Sequence, residues 1–196
     1  MKSIRFVGDV HGKVKEYLKL IEDCDASIQC GDMGIGFVKI PKVEGNHKWI
    51  RGNHDNPNMA ARHPNNIKDG TFWEDEGMFF VGGAWSIDWE WRTPGISWWQ
   101  DEEVGVNEFQ KIIDYYTLCK PEIMVTHDCP TVAAQQLKDS NHIWDKSKTR
   151  QAFDIMFEIW QPVMWVHGHH HVSKRSLIDG TFFYSLAELE VLDTGR

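Results

Sequence analysis

Ile4-Arg5-Phe6-Val7-Gly8-Asp9-Val10-His11-Gly12 is a short apolar run that stops on a carboxylate. Val14, Tyr17, Leu18 and Ile21 then recur at helical spacing through a Lys- and Glu-rich segment, which predicts an amphipathic helix over residues 13–23. A second apolar run, Ala26 to Cys30, stops on Gly31-Asp32. Strand, helix and strand make a βαβ unit, and each strand ends in a carboxylate.

The same grammar continues outward from that unit. Lys48-Trp49-Ile50 precedes Gly52-Asn53-His54-Asp55, Ile123-Met124-Val125 precedes Thr126-His127, and Val163-Met164-Trp165-Val166 precedes His167-Gly168-His169-His170-His171. Val106, Phe109, Ile112, Ile113 and Tyr116 mark one further helix, and Phe153, Met156, Phe157 and Trp160, ahead of Pro162, mark another. Ser176 to Phe183 carries an Asp179-Gly180 turn between β-prone residues and reads as a hairpin. Alternating elements followed by a hairpin imply an α/β fold with mixed sheets, and residues 1–196 read as one domain. The nearest thing to a separate module is residues 71–105, which hold six of the ten tryptophans: Trp73, Trp85, Trp89, Trp91, Trp98 and Trp99. Such density builds either hydrophobic core or a lid and stacking surface.

The five polar clusters bring oxygen and imidazole ligands to successive strand ends. Delivered into one place, such ligands are what a binuclear divalent-metal site requires. Side chains alternate along an extended segment, so His169 and His171 should point together and His170 away. His47, His63 and His142 lie outside the clusters and receive no role.

Bulk properties narrow the partners. The net charge is −8, and no Lys/Arg run appears, which disfavours long duplex DNA, whose binding needs a basic face. Cys24, Cys30, Cys119 and Cys129 form no C-x-x-C pair and no zinc-finger spacing. The chain enters a strand without room for a signal peptide and has no membrane-length apolar stretch, so a reducing cytoplasm is expected and no membrane partner.

At Asp9-x-His11, Gly31-Asp32, Gly52-Asn53-His54-Asp55, His127 and Gly168-His169-x-His171, the chain resembles the calcineurin-like metallophosphoesterase superfamily, with all five blocks in the family order. The resemblance implies a sandwich of two mixed β-sheets flanked by helices. It also implies two divalent ions, manganese first, or else iron, zinc or nickel. Asp9, His11 and His171 would hold one ion, Asn53, His127 and His169 the other, and Asp32 would bridge them. The implied reaction is hydrolysis of a small or nucleotide-derived phosphodiester or phosphomonoester by in-line attack of a metal-bridging hydroxide. His54 would protonate the leaving group and Asp55 would orient or charge-stabilise His54. A narrower resemblance, at Gly82 to Arg92, Gly95 to Trp99 and Thr126-His127-Asp128-Cys129-Pro130, is to small bacterial and phage metallophosphoesterases. It makes Arg92 a candidate for gripping a substrate phosphate; a surface salt bridge or a cation–π contact with a nearby tryptophan would account for it equally well.

One departure is informative. Protein phosphatases of the superfamily continue their second block to Asp-Arg-Gly, whereas Asp32 here is followed by Met33-Gly34-Ile35. The phosphate-holding arginine is missing, which turns the expectation away from protein phosphatases. A nuclease acting on single-stranded nucleic acid and a non-catalytic scaffold of the same fold compete with the small-ester hydrolase.

Overall fold

The computed structural model describes residues 3–137 and 146–195; His142 lies outside them. The first sheet holds β1 (Arg5–Val7), β2 (Ala26–Gln29) and β3 (Asn46–Trp49) in parallel, with α1 (Val14–Leu20) crossing from β1 to β2. The second sheet begins with the antiparallel pair β4 (Thr71–Trp73) and β5 (Met78–Val81). It continues in parallel through β6 (Ile123–Thr126), β7 (Met164–His167) and β9 (Thr181–Ser185), with β8 (Lys174–Ile178) antiparallel on the edge beyond β9. The closing strand β10 (Val191–Asp193) returns to the first sheet, antiparallel to β1, giving the orders β10-β1-β2-β3 and β4-β5-β6-β7-β9-β8.

Side-chain alternation along the strands assigns the layers. Phe6, Ile28 and Ile50 from the first sheet meet Phe80, Val125 and Val166 from the second in one buried cluster between them. The neighbouring residues face outward. Val7 and Trp49 meet Tyr17 of α1 and Ile21 just beyond it, while Phe79, Met124, Trp165 and Phe183 meet two long helices, α3 (Val106–Cys119) and α5 (Lys148–Ile159). Helix, sheet, sheet and helix are thus stacked with three apolar layers between them. The short helices α2 (Pro57–Ala60) and α4 (Thr131–Ala134) follow the β3 and β6 loops. The expected α/β architecture of two mixed sheets flanked by helices is what the chain forms.

Local details differ from what the sequence alone suggests. β4 and β5, at the start of the aromatic-rich residues 71–105, belong to the second sheet: Met78-Phe79-Phe80-Val81 is buried on both faces, so it carries no alternating pattern to read. α1 stops at Leu20, with Ile21 still in the core. β10 has no apolar run of its own and exists through pairing with β1. The hairpin turn falls where expected, with Asp179 and Gly180 both at positive φ, 48° and 86°. Among the described residues, no helix is long and apolar enough to cross a membrane.

Candidate metal centre

The expected ligands follow five parallel strands. Asp9 comes after β1, Asp32 after β2, Asn53 after β3, His127 after β6, and His169 and His171 after β7. Asp9, Asp32, Asn53 and His127 are buried, His11, His54 and His169 half-buried, and His171 exposed. The result is a sunken floor of carboxylate, amide and imidazole with a histidine rim.

The separations fit shared ions. Ligand atoms about 2.1 Å from one cation at 90–110° stand about 3.0–3.4 Å apart. His11 Nε2 and His171 Nε2 are 2.9 Å apart, and Asp9 Oδ2 is 2.9 Å from His171 Nε2 and 3.6 Å from His11 Nε2. His127 Nε2 is 3.0 Å from Asn53 Oδ1 and 3.4 Å from Asp32 Oδ1. The other Asp32 oxygen lies 3.8 Å from His11 Nε2, so Asp32 turns one oxygen to each group. Asp9 Oδ2 is buried and, although His171 is near, has no well-aligned hydrogen bond. Two imidazole nitrogens and a buried oxygen aimed at one point share at most a proton or two, and a cation satisfies them all. The residues present therefore fit a pair of divalent ions. His169 lies edge-on beside His127, ring centroids 5.0 Å apart, on the second side.

Charge follows the same geometry. Burial alone would raise both carboxyls, but the adjacent His11 and His171 imidazoles hold Asp9 well below the usual carboxylate range. Asp32, also opposed by burial, is held at about 2 by the charge and hydrogen bond of His127. Burial works against a charged His127, yet Asp32 and Asp9 push it up to about 10.

The backbone is strained at the same place. Of seven non-glycine residues with positive φ among those described, four are expected ligands: His11 (47°), Asp32 (58°), His169 (66°) and His171 (54°). Such angles cost energy and persist where surrounding structure imposes them. They also alter one expectation. His170 does turn away from His169 and His171, toward Asp128, but through left-handed backbone and not strand alternation.

Close approach requires the motif glycines. A Cβ on Gly168 would sit 2.1 Å from Asp9 Oδ1, and one on Gly52 would sit 2.1 Å from Asp32 Oδ1 and 2.4 Å from the Asp32 backbone nitrogen. Gly52→Ala must therefore displace Asp32. We expect manganese affinity to fall at least about tenfold with the helical circular dichroism unchanged; unaltered affinity would contradict the placement of Asp32.

Nothing in the sequence signals the residues behind the ligands. His127 Nδ1–H donates to the Cys30 carbonyl at 2.7 Å, which turns Nε2 toward Asn53 and Asp32. Buried Glu102 accepts from the Ser86 hydroxyl at 2.6 Å, and Ser86 Oγ in turn accepts from Asn53 Nδ2 at 2.8 Å. Because the carboxylate takes the hydroxyl proton, Ser86 can offer Asn53 only a lone pair, and the Asn53 oxygen is turned to the centre. In sequence Glu102 sits in the acidic run Gln100-Asp101-Glu102-Glu103 and reads as surface.

The expected His54–Asp55 pair is not formed. Asp55 is fully buried and accepts four backbone N–H bonds, from Met33, Gly34, Ile35 and Gly52, at 2.7–3.1 Å. It ties the loop after β2 to the loop after β3. Burial and the charge of Asp32 push its carboxyl up to about 6, against the backbone donors that favour the anion.

His54 faces a guanidinium instead. Arg92 Nη1 and Nη2 lie 3.0 and 2.7 Å from its two ring nitrogens, while Arg92 Nε donates to Asp88 at 2.7 Å. Only one ring nitrogen of a neutral imidazole accepts, so only one of these two contacts is a hydrogen bond. Burial, with Arg92 adding to it against Asp32, lowers the His54 pKa. One ring nitrogen of His54 also stands within 4.8 Å of ligand atoms of His11 and Asp32.

Arg92 lines a cleft of about 260 Å³ over the centre, together with Trp85, Ile87, Asp88 and Arg150. Of the six tryptophans, Trp85 alone lines it. Trp73 packs on Phe80, Trp99 is buried against Phe37, Trp89 lies against Trp98, and Trp91 is exposed. The aromatic segment divides between core, surface and cleft wall.

No known family model and no curated protein matches the chain. Among solved structures, one similar chain is described as "GAP50 the anchor in the inner membrane complex of Plasmodium"; it is 10% identical, with a TM-score of 0.49, over 95% of this chain and 72% of that one.

Proposed function

We propose that the chain is a binuclear metal-dependent phosphoesterase that hydrolyses small phosphodiesters or phosphomonoesters, nucleotide-derived ones included. One observation carries the reading: Asp32 turns an oxygen to each of two ligand groups that reach it from different strands. Asp9, His11 and His171 would hold one ion, and Asn53, His127 and His169 the other. Divalent cations held in this way act as Lewis acids on a phosphoryl oxygen and make water nucleophilic near neutral pH.

The chain's own side chains supply the rest. Arg92 offers a planar pair of donors beside the centre, suited to phosphate oxygens. A phosphate held there brings negative charge to the His54 ring, which is assigned the leaving-group proton. Trp85 and Ile87 give the cleft an apolar wall for whatever the phosphate carries. Glu102, Ser86 and the Cys30 carbonyl hold Asn53 and His127 in orientation.

The test compares leaving groups. In His54→Ala, turnover of an alkyl phosphodiester should fall about 10²-fold, the range of general-acid contributions, whereas an activated aryl diester, whose leaving group needs no proton, should lose far less. Metal content should stay unchanged. Loss of metal, or an equal loss on both substrates, would defeat the role given to His54.

A further inference from the structure

Four buried or half-buried side chains of metal-binding type lie beside the centre without taking part in it. Asp128 and Cys129 follow His127 after β6, while His167 ends β7 and His170 follows Gly168-His169. Each segment thus sends residues to opposite sides. Ligand atoms of Cys129, His167 and His170 lie within 4.8 Å of one another, with Cys129 and His167 buried. His170 Nε2 stands 3.6 Å from Cys129 Sγ and 3.1 Å from Asp128 Oδ1.

These lengths are informative. Around a tetrahedral zinc, with Zn–N near 2.0 Å, Zn–O near 2.1 Å and Zn–S near 2.3 Å, neighbouring N and S are about 3.5 Å apart and neighbouring N and O about 3.3 Å. His167 Nδ1 lies 3.1 Å from the Gly168 carbonyl and donates to it, which leaves its Nε2 as the ligand atom. Arg150 Nη2 holds Asp128 at 2.9 and 3.1 Å, fixing that carboxylate in place. His170 lines the cleft, so an ion reaches the group from solvent.

We propose that Cys129, His167 and His170 form a separate site for a thiolate-preferring cation of the zinc class, with Asp128, itself held by Arg150 and the Cys129 N–H, standing behind His170. The thiolate offsets part of the charge of a divalent ion, and the thiol proton passes to solvent on binding. Sulfur separates this site from its neighbour: hard manganese suits the Asp/Asn/His centre, while zinc or cobalt accepts thiolate.

Cobalt titration of the full chain provides the test. Saturated wild type should show a near-ultraviolet thiolate-to-cobalt charge-transfer band. Cys129→Ala should lose the band and bind one equivalent fewer. Asp32→Asn should keep it, which makes this result independent of the proposed hydrolysis. Should Cys129→Ala fail to fold, His170→Ala, at the cleft, must weaken the band-forming step at least about tenfold. Absence of the band from cobalt-saturated wild type, its persistence in Cys129→Ala, or an unaltered titration in His170→Ala would leave only an Asp128–His170–Arg150 salt bridge and overturn the site.

Discussion

Replacing Asp32 with Asn is expected to lower phosphoester turnover at least about 10³-fold and to leave the chain holding fewer than two manganese ions tightly. A 10³-fold loss corresponds to about 4 kcal/mol of transition-state stabilisation. The reason lies in the division of its two oxygens, one 3.4 Å from His127 and the other 3.8 Å from His11. An amide keeps one acceptor but puts N–H donors where the second ligand atom must be, and it removes the charge that offsets two cations. The fold should survive, because an amide oxygen can still accept the His54 N–H, now bonded to Asp32 at 2.8 Å. Metal-free thermal unfolding checks this: a melting temperature near the parent value assigns lost turnover to the site.

Asp55→Ala should act in the opposite manner, destabilising the fold by about 3–5 kcal/mol. Four backbone N–H groups lose a buried acceptor, and each unsatisfied donor costs about 1–3 kcal/mol before loops relax and water enters. Asp55→Asn should be nearly as damaging, since each oxygen serves two N–H groups and an NH₂ at either position opposes both. Denaturant midpoints measure this directly. If Asp55→Asn leaves the midpoint unchanged and alters only the leaving-group dependence, Asp55 acts on His54 after all.

What is legible in the chain is local. Asp9, Asp32 and His127 each follow an apolar run, and a strand stopping on a polar residue fixes both the element and the end of the sheet where the residue stands. The helices of residues 106–119 and 148–159 are equally plain from 3.6-residue spacing. Partners across the chain are not legible. Adjacency suggests Asp55 for His54, yet the bend over residues 53–55 leaves Asp55 among backbone donors, while Arg92, far along the sequence, meets the ring. Ser86 and Glu102 are hidden for the same reason: their role depends on burial against Asn53, which leaves no periodic trace. β5 escapes because a strand buried on both faces has no alternation to read.

The proposed function has the ligands after these strands hold two ions for phosphoester hydrolysis. Its most direct measurement is turnover of a model aryl phosphodiester and monoester against bound manganese, added stepwise to chelator-stripped protein. Activity on at least one ester should rise with bound metal and reach its plateau at two equivalents. Two manganese ions bound without turnover of either, or turnover that persists in the stripped protein, would contradict it.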